Sequence, residues 1–190
     1  ALRGQHQATL AGELATQRFL QPDRATERGP IVLVSGRTES MLKYKEVVYD
    51  LYLNGWSVYS HDHRGQGLSE REPAVRDMPQ KGHVERFDDF VADLDSWIST
   101  QVLPAGHARR VLWAHSMGGA ITARYLESGR PSVRQMQAAV LSSPMLEIAG
   151  LVRGFSAETF SCSVMAHAAV ALGAGARWHL GGGPYKPDAL

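Results

Sequence analysis

Four short apolar runs, Ile31-Val-Leu-Val-Ser35, Trp56 to Ser60, Val111 to His115 and Ala138 to Ser142, are separated by segments that repeat at helical spacing. Apolar runs without polar alternation suit strands buried on both faces. Between the first two, Leu42, Val47, Val48, Leu51 and Tyr52 mark a helix over Met41 to Asn54, which Gly55 stops. Ahead of the third, Phe87, Phe90, Val91, Leu94, Trp97 and Ile98 fall at i, i+3, i+4, i+7, i+10 and i+11, the clearest helical period in the chain. Met117 to Glu127 predicts a further helix closing near Gly129. Strands alternating with helices require right-handed crossovers and a mostly parallel sheet covered on both faces, so the expected fold class is α/β.

The flanks read differently. Gln7 to Gln21 alternates and predicts a short antiparallel strand pair ending at Pro22, followed by a polar loop from Asp23 to Pro30. After Pro144 the residues from Glu147 to Leu180 form an apolar, alanine-rich stretch that predicts helices and no further strand. The chain divides accordingly into a core part, residues 1–146, and a helical cap segment, residues 147–190. Composition excludes several function classes. A net charge of +1, with the arginines scattered, gives no field to favour nucleic acid. A single cysteine, Cys162, excludes an internal disulfide and a cysteine-only zinc site, and suits a reducing compartment. No apolar stretch approaches the ~20 residues of a membrane span, so a cytoplasmic protein, in at most peripheral contact with the inner membrane, is expected.

The segment Trp113-Ala-His-Ser-Met-Gly-Gly119 places Ser116 between a predicted strand and a predicted helix. A serine at the apex of such a turn holds a strained backbone, and small residues two before and two after it, Ala114 and Gly118, allow the chain to close. The helix start directs free N–H groups and a positive dipole end at Ser116, which favours developing negative charge. Ser116 is therefore the candidate nucleophile, while the neighbouring His115 reads as a packing residue. The turn Val34-Ser-Gly-Arg-Thr-Glu39 can aim the Arg37 N–H at an acyl oxyanion, with the Met117 N–H as second donor. Glu39 and Tyr44 are candidates to anchor that turn. In His61-Asp-His-Arg-Gly-Gln-Gly67 successive residues of an extended segment point to opposite sides and no third-ligand cluster follows, which argues against a metal site. Asp62 is expected to cap backbone N–H groups, Gly65 and Gly67 to supply positive φ or close approach, and His83 to cap or pack.

SGRTES, HDHRGQGLS and AHSMGGA, in this order and with GHVERFDDF between the last two, resemble the α/β-hydrolase superfamily, and more narrowly its monoacylglycerol-lipase and bacterial lysophospholipase branch. The resemblance covers about Ile31 to Pro144; Ala114 stands where the superfamily usually has glycine. It implies carboxylic ester hydrolysis of single-chain lipids through an acyl-enzyme on Ser116, with Arg37 and Met117 as the backbone oxyanion hole and no cofactor or metal. It also implies that residues after the fourth buried strand form a lid, whose Phe155, Phe160, Val164 and Met165 would contact an acyl chain.

A hydrolase of this kind needs an acid and then a histidine after the serine. Asp188 is the only aspartate after Ser116 and no histidine follows it; His167 and His179 lie in the cap segment, with Glu147 or Glu158 as the acids that would preserve chain order. The expectation is that the acid and histidine lie beyond Leu190 with the last strands, and that the 190 residues alone are inactive. The open sheet edge would then invite self-association. Two other functions stay in view: a catalytically incomplete binding fragment, and a peptidase or other acyl hydrolase on the same scaffold.

Overall fold

A computed structural model describes residues 14–78, 80–146 and 157–176, with side chains omitted for residues 157–163. Among the described residues five strands form one sheet: β1 (Thr16–Phe19), β2 (Gly29–Val34), β3 (Trp56–His61), β4 (Val111–His115) and β5 (Ala138–Ser142). Their order is β1-β3-β2-β4-β5; β1 runs antiparallel to β3 and every other pairing is parallel. The helices are α1 (Lys45–Leu53), α2 (Phe87–Trp97), α3 (Met117–Glu127) and α4 (Ala157–Ala171). The expected α/β architecture is present, with β4, α3 and β5 at the limits their patterns predict.

β2 is buried along its whole length, as its unbroken apolar run requires. Its alternate side chains feed two layers. Val32 and Val34 join Leu112 and Ala114 of β4 under α2 and α3, which contribute Phe90, Leu94, Trp97, Ile121 and Tyr125. Leu33 and Val58 face the other way, onto Tyr44 and Val48 at the start of α1. The helix expected at Met41 begins as a 3₁₀ turn, Met41–Tyr44, before α1 proper, and α2 runs on into a π-helical turn, Ile98–Val102, that keeps Ile98 and Val102 buried. Phe87, the first residue of the apolar period, stays 39% exposed with its ring edge-on to Phe90.

Two expectations fall partly outside the described residues. The strand pair expected over Gln7 to Gln21 is, among the described residues, a single strand whose partner is β3, with Thr16 opposite His61 and Phe19 opposite Val58. Local alternation identified the strand but not its distant partner; its first half lies outside the described residues. In the cap segment, α4 accounts for Ala157–Ala171, and the rest of Glu147 to Leu180 up to residue 156 and after 176 lies outside them. β5 sits at the sheet edge with Val140 49% exposed.

Candidate active site

β4 ends at His115 and α3 begins at Met117, so Ser116 makes the whole turn, with φ 52° and ψ −120°. That left-handed conformation costs a non-glycine residue about 1–3 kcal/mol and persists only where its surroundings enforce it. Hydrogen bonds do so here. Ser116 N–H donates to Ser142 O at 3.1 Å, and Ser116 O accepts from Gly119 N–H and Met145 N–H at 2.9 Å each. The end of β5 therefore holds the turn, a partnership no local pattern announces. Close packing adds to it, with a correction to the steric reason. A Cβ on Gly118 would lie 2.3 Å from Val34 O and 2.4 Å from Ser35 O, so it is the end of β2 that requires glycine there. On Gly119 it would lie 2.6 Å from Pro144 Cβ, beyond β5.

The turn after β2 lies against this serine, since a Cβ on Gly36 would stand 3.1 Å from Ser116 Cβ. Its backbone is held from two sides. Gly36 N–H donates to Glu39 Oε2 at 2.7 Å and Thr38 N–H donates to Gln66 Oε1, while Thr38 itself has φ 55°. Between them the Arg37 N–H makes no hydrogen bond among the described residues, and neither does the Met117 N–H at the first position of α3. Two unengaged donors beside a strained serine at a helix N-terminus can stabilise an oxyanion on an acyl carbon attacked by that serine.

Glu39 is the anchor of this turn. It is 9% exposed and accepts from Gly36 N–H, Tyr44 OH and Lys43 Nζ, with His115 Nδ1 at 3.4 Å. Burial alone would raise its pKa, but the hydrogen bonds from Lys43, Tyr44, Gly36 and His115 prevail and lower it from 4.5 to about 2. Burial, and then the bond to the Glu39 carboxylate, push the Tyr44 phenol up. His115 also lies 3.3 Å from Tyr44 OH, so the packing residue expected here packs into this polar cluster. A carboxylate whose folded pKa is depressed stabilises the protein above its unfolded pKa and loses that contribution as pH falls through the folded value. Unfolding by urea should thus show a loss of stability between about pH 5 and pH 2 that is smaller in Glu39→Gln. An identical acid dependence in the two proteins would exclude this role.

The third segment behaves as a turn. Asp62 carboxylate oxygens accept Met41 N–H at 2.6 Å and Leu68 N–H at 2.8 Å. Gly67, at φ 50°, lets the chain pass where a Cβ would meet Asp62 Oδ2 at 2.1 Å. His63 Nε2–H donates to Ser35 O at 2.9 Å, and burial keeps its imidazole pKa below the usual value, so it stays neutral in that tautomer. Gln66 was not foreseen, because a glutamine between two glycines reads as solvated loop; its partner Thr38 is 28 residues away. His83 does not cap α2: its Nε2 lies 3.9 Å from Glu72 Oε2 and 3.4 Å from Glu85 Oε2.

In the cap segment, Val164 and Met165 on α4 are 50% and 48% exposed, and α4 adds no residue to either core layer among the described residues. Phe160 lies on α4 with its side chain undescribed, and Phe155, Glu147 and His179 fall outside the described residues. Glu158 is likewise on α4 without a described side chain, and His167 is exposed there.

A family model described as serine aminopeptidase, S33 (Hydrolase_4) matches residues 25–178, most of the chain. The chain belongs to that family. Among relatives of this Hydrolase_4 chain, the probable lysophospholipase L2 of Haemophilus influenzae is 39% identical over 136 residues, which are 72% of this chain and 41% of that protein. Lysophospholipase L2 of Escherichia coli K12 is 41% identical over 128 residues, covering 67% and 36%. The chain thus spans about two fifths of the length of the curated relatives it matches. The crystal structure of Paleococcus ferrophilus monoacylglycerol lipase superposes with a TM-score of 0.60 at 27% identity, over 81% of this chain and 51% of that one. The Hydrolase_4 chain therefore has an α/β-hydrolase core, in the branch of the lysophospholipases and monoacylglycerol lipases that the three motifs indicated.

Proposed function

We propose that this chain carries the nucleophile and oxyanion hole of a serine hydrolase that cleaves the carboxylic ester of single-chain lipids, a lysophospholipid or a monoacylglycerol. The observation that carries the reading is the strained Ser116 turn at the start of α3, seated against Gly36. Ser116 Oγ attacks the ester carbonyl, and the N–H groups of Arg37 and Met117 receive the oxyanion. Collapse expels glycerol or its phosphorylated derivative and leaves an acyl-enzyme, which water hydrolyses. The general base and its acid partner are assigned to sequence beyond these 190 residues. Relatives near 40% identity that are named lysophospholipase L2 support the substrate class.

Residues 1–146 form the core part in this reading and 147–190 a lid, in which Phe155, Phe160, Val164 and Met165 meet the acyl chain. The exposure of Val164 and Met165 supports that role. No described helix is long and apolar enough to cross a membrane. A cytoplasmic protein that touches the inner membrane peripherally suits a lipid substrate, and the β5 edge, unpaired among the described residues, supports self-association of these 190 residues on their own. The family description keeps a peptidase as the second reading. Full-length protein assayed on lysophosphatidylcholine, monooleoylglycerol and aminoacyl arylamides tests both: turnover of either lipid is expected. Hydrolysis of the arylamides alone would establish the peptidase, and turnover of none of them would sink both.

A further inference from the structure

Away from Ser116, two stretches of chain converge in front of α2. Glu72 precedes the 3₁₀ turn Pro73–Val75, and His83 and Glu85 lead into Phe87. His83 Nε2 is a buried atom with no hydrogen-bond partner, yet two carboxylate oxygens face it, Glu85 Oε2 at 3.4 Å and Glu72 Oε2 at 3.9 Å. All three atoms lie within 4.8 Å of one another. A tetrahedral ion bound at about 2.0–2.2 Å by nitrogen and oxygen donors holds those donors roughly 3.3–3.6 Å apart. His83 and Glu85 already have that separation. Glu72 Oε2 needs to approach His83 Nε2 by a few tenths of an ångström, and the Glu85 side chain, 75% exposed, is able to close the remaining separation.

We propose that Glu72, His83 and Glu85 bind one divalent transition-metal ion of the zinc type. One imidazole with two carboxylates suits zinc and its neighbours, whereas calcium and magnesium prefer oxygen donors alone. The surroundings orient the donors as an outer shell should. Arg64 Nη1 lies 3.3 Å from Glu72 Oε1, which leaves Oε2 to face His83, and Glu85 N–H donates to that Oε2 at 3.1 Å. The Arg64 charge does not oppose a cation, because both oxygens of Asp93 bind its guanidinium at 2.7 Å and Asp89 stands 3.8 Å away. Glu72 and Glu85 also line a cleft of about 380 Å³, which leaves room for a water as fourth ligand. The ion would clamp the segment from Glu72 to Glu85 onto the start of α2. The two histidines that first suggest a metal, His61 and His63, instead pack edge-to-face with ring centroids 4.9 Å apart.

The test is calorimetric titration of chelator-treated full-length protein with zinc chloride, with thermal melts alongside. One saturable site and a zinc-dependent rise in Tm are expected. His83→Ala and Glu85→Gln should each weaken binding by at least the roughly 10- to 100-fold that loss of an outer-shell partner costs, and abolish the rise in Tm. Glu85→Gln changes an exposed side chain to its isostere, so its fold is secure if His83→Ala proves unstable. Absence of saturable binding in the parent protein, which would leave an ion pair only, overturns the proposal. Binding that persists undiminished in either variant also overturns it.

Discussion

Replacing Ser116 by alanine in the full-length protein should abolish ester hydrolysis, with kcat falling by roughly 10⁵ to 10⁶, as when the nucleophile of a serine hydrolase is removed. Labelling by a fluorophosphonate probe should disappear with it. Stability should hardly change, because alanine keeps both the backbone hydrogen bonds of the turn and its strained φ of 52°. Glycine behaves differently. At this φ and ψ it relieves the strain, so Ser116→Gly should be as inactive as the alanine variant but more stable than the parent by about 1 kcal/mol. Urea unfolding and probe labelling of the parent and both variants decide the matter. Retained labelling in Ser116→Ala would move the nucleophile elsewhere, and a glycine variant no more stable than the alanine one would deny that the turn stores strain for its serine.

A single methyl group at Gly118 should do damage of another kind. The added carbon would sit 2.3 Å and 2.4 Å from two backbone carbonyl oxygens at the end of β2, neither of which can rotate away like a side chain. The turn, the strand end, or both must move by about 1 Å. Overpacking of that severity should cost more than about 2 kcal/mol. The displaced atoms are the serine and the turn of Gly36 and Arg37 that faces it, and a misplacement of about 1 Å at reacting groups costs on the order of 10²-fold in rate. Gly118→Ala should therefore lower the urea midpoint and also lower kcat/KM in the fraction that remains folded. A variant matching the parent in both within twofold would show that the Ser116 turn has slack the packing does not suggest.

How much of this was legible in the sequence follows the range of the interactions involved. β4, Ser116 and α3 were readable because the decisive features are local: an apolar run, one strained residue and a glycine-rich helix start, all within Val111 to Glu127. Asp62 was readable as a cap for the same reason. What was not readable depends on distant partners. The steric demand on Gly118 comes from Val34 and Ser35, the support of Thr38 from Gln66, and the place of His115 from Glu39, 76 residues earlier. Periodicity reports which face of an element is apolar, not which other element meets it. β1 shows this directly, since its own alternation made it a strand while its pairing with β3 depended on a segment some 40 residues on.

The central position of β2 has a consequence for how the molecule comes to be. Ile31 lies beside Val58 on one side and Val111 on the other, so the first pairing closes a loop of under thirty residues and the second one of about eighty. Each closure must be completed before its contacts repay the lost chain entropy, and the distant one is the later and slower event. During synthesis, then, β2, α1 and β3 can assemble while one side of β2 still waits for β4, an apolar strand edge unshielded in the interval. Because Ser116 follows β4 directly and is stitched to the end of β5, the nascent chain has the core layer of Leu33, Tyr44, Val48 and Val58 well before the Ser116 turn is held in place.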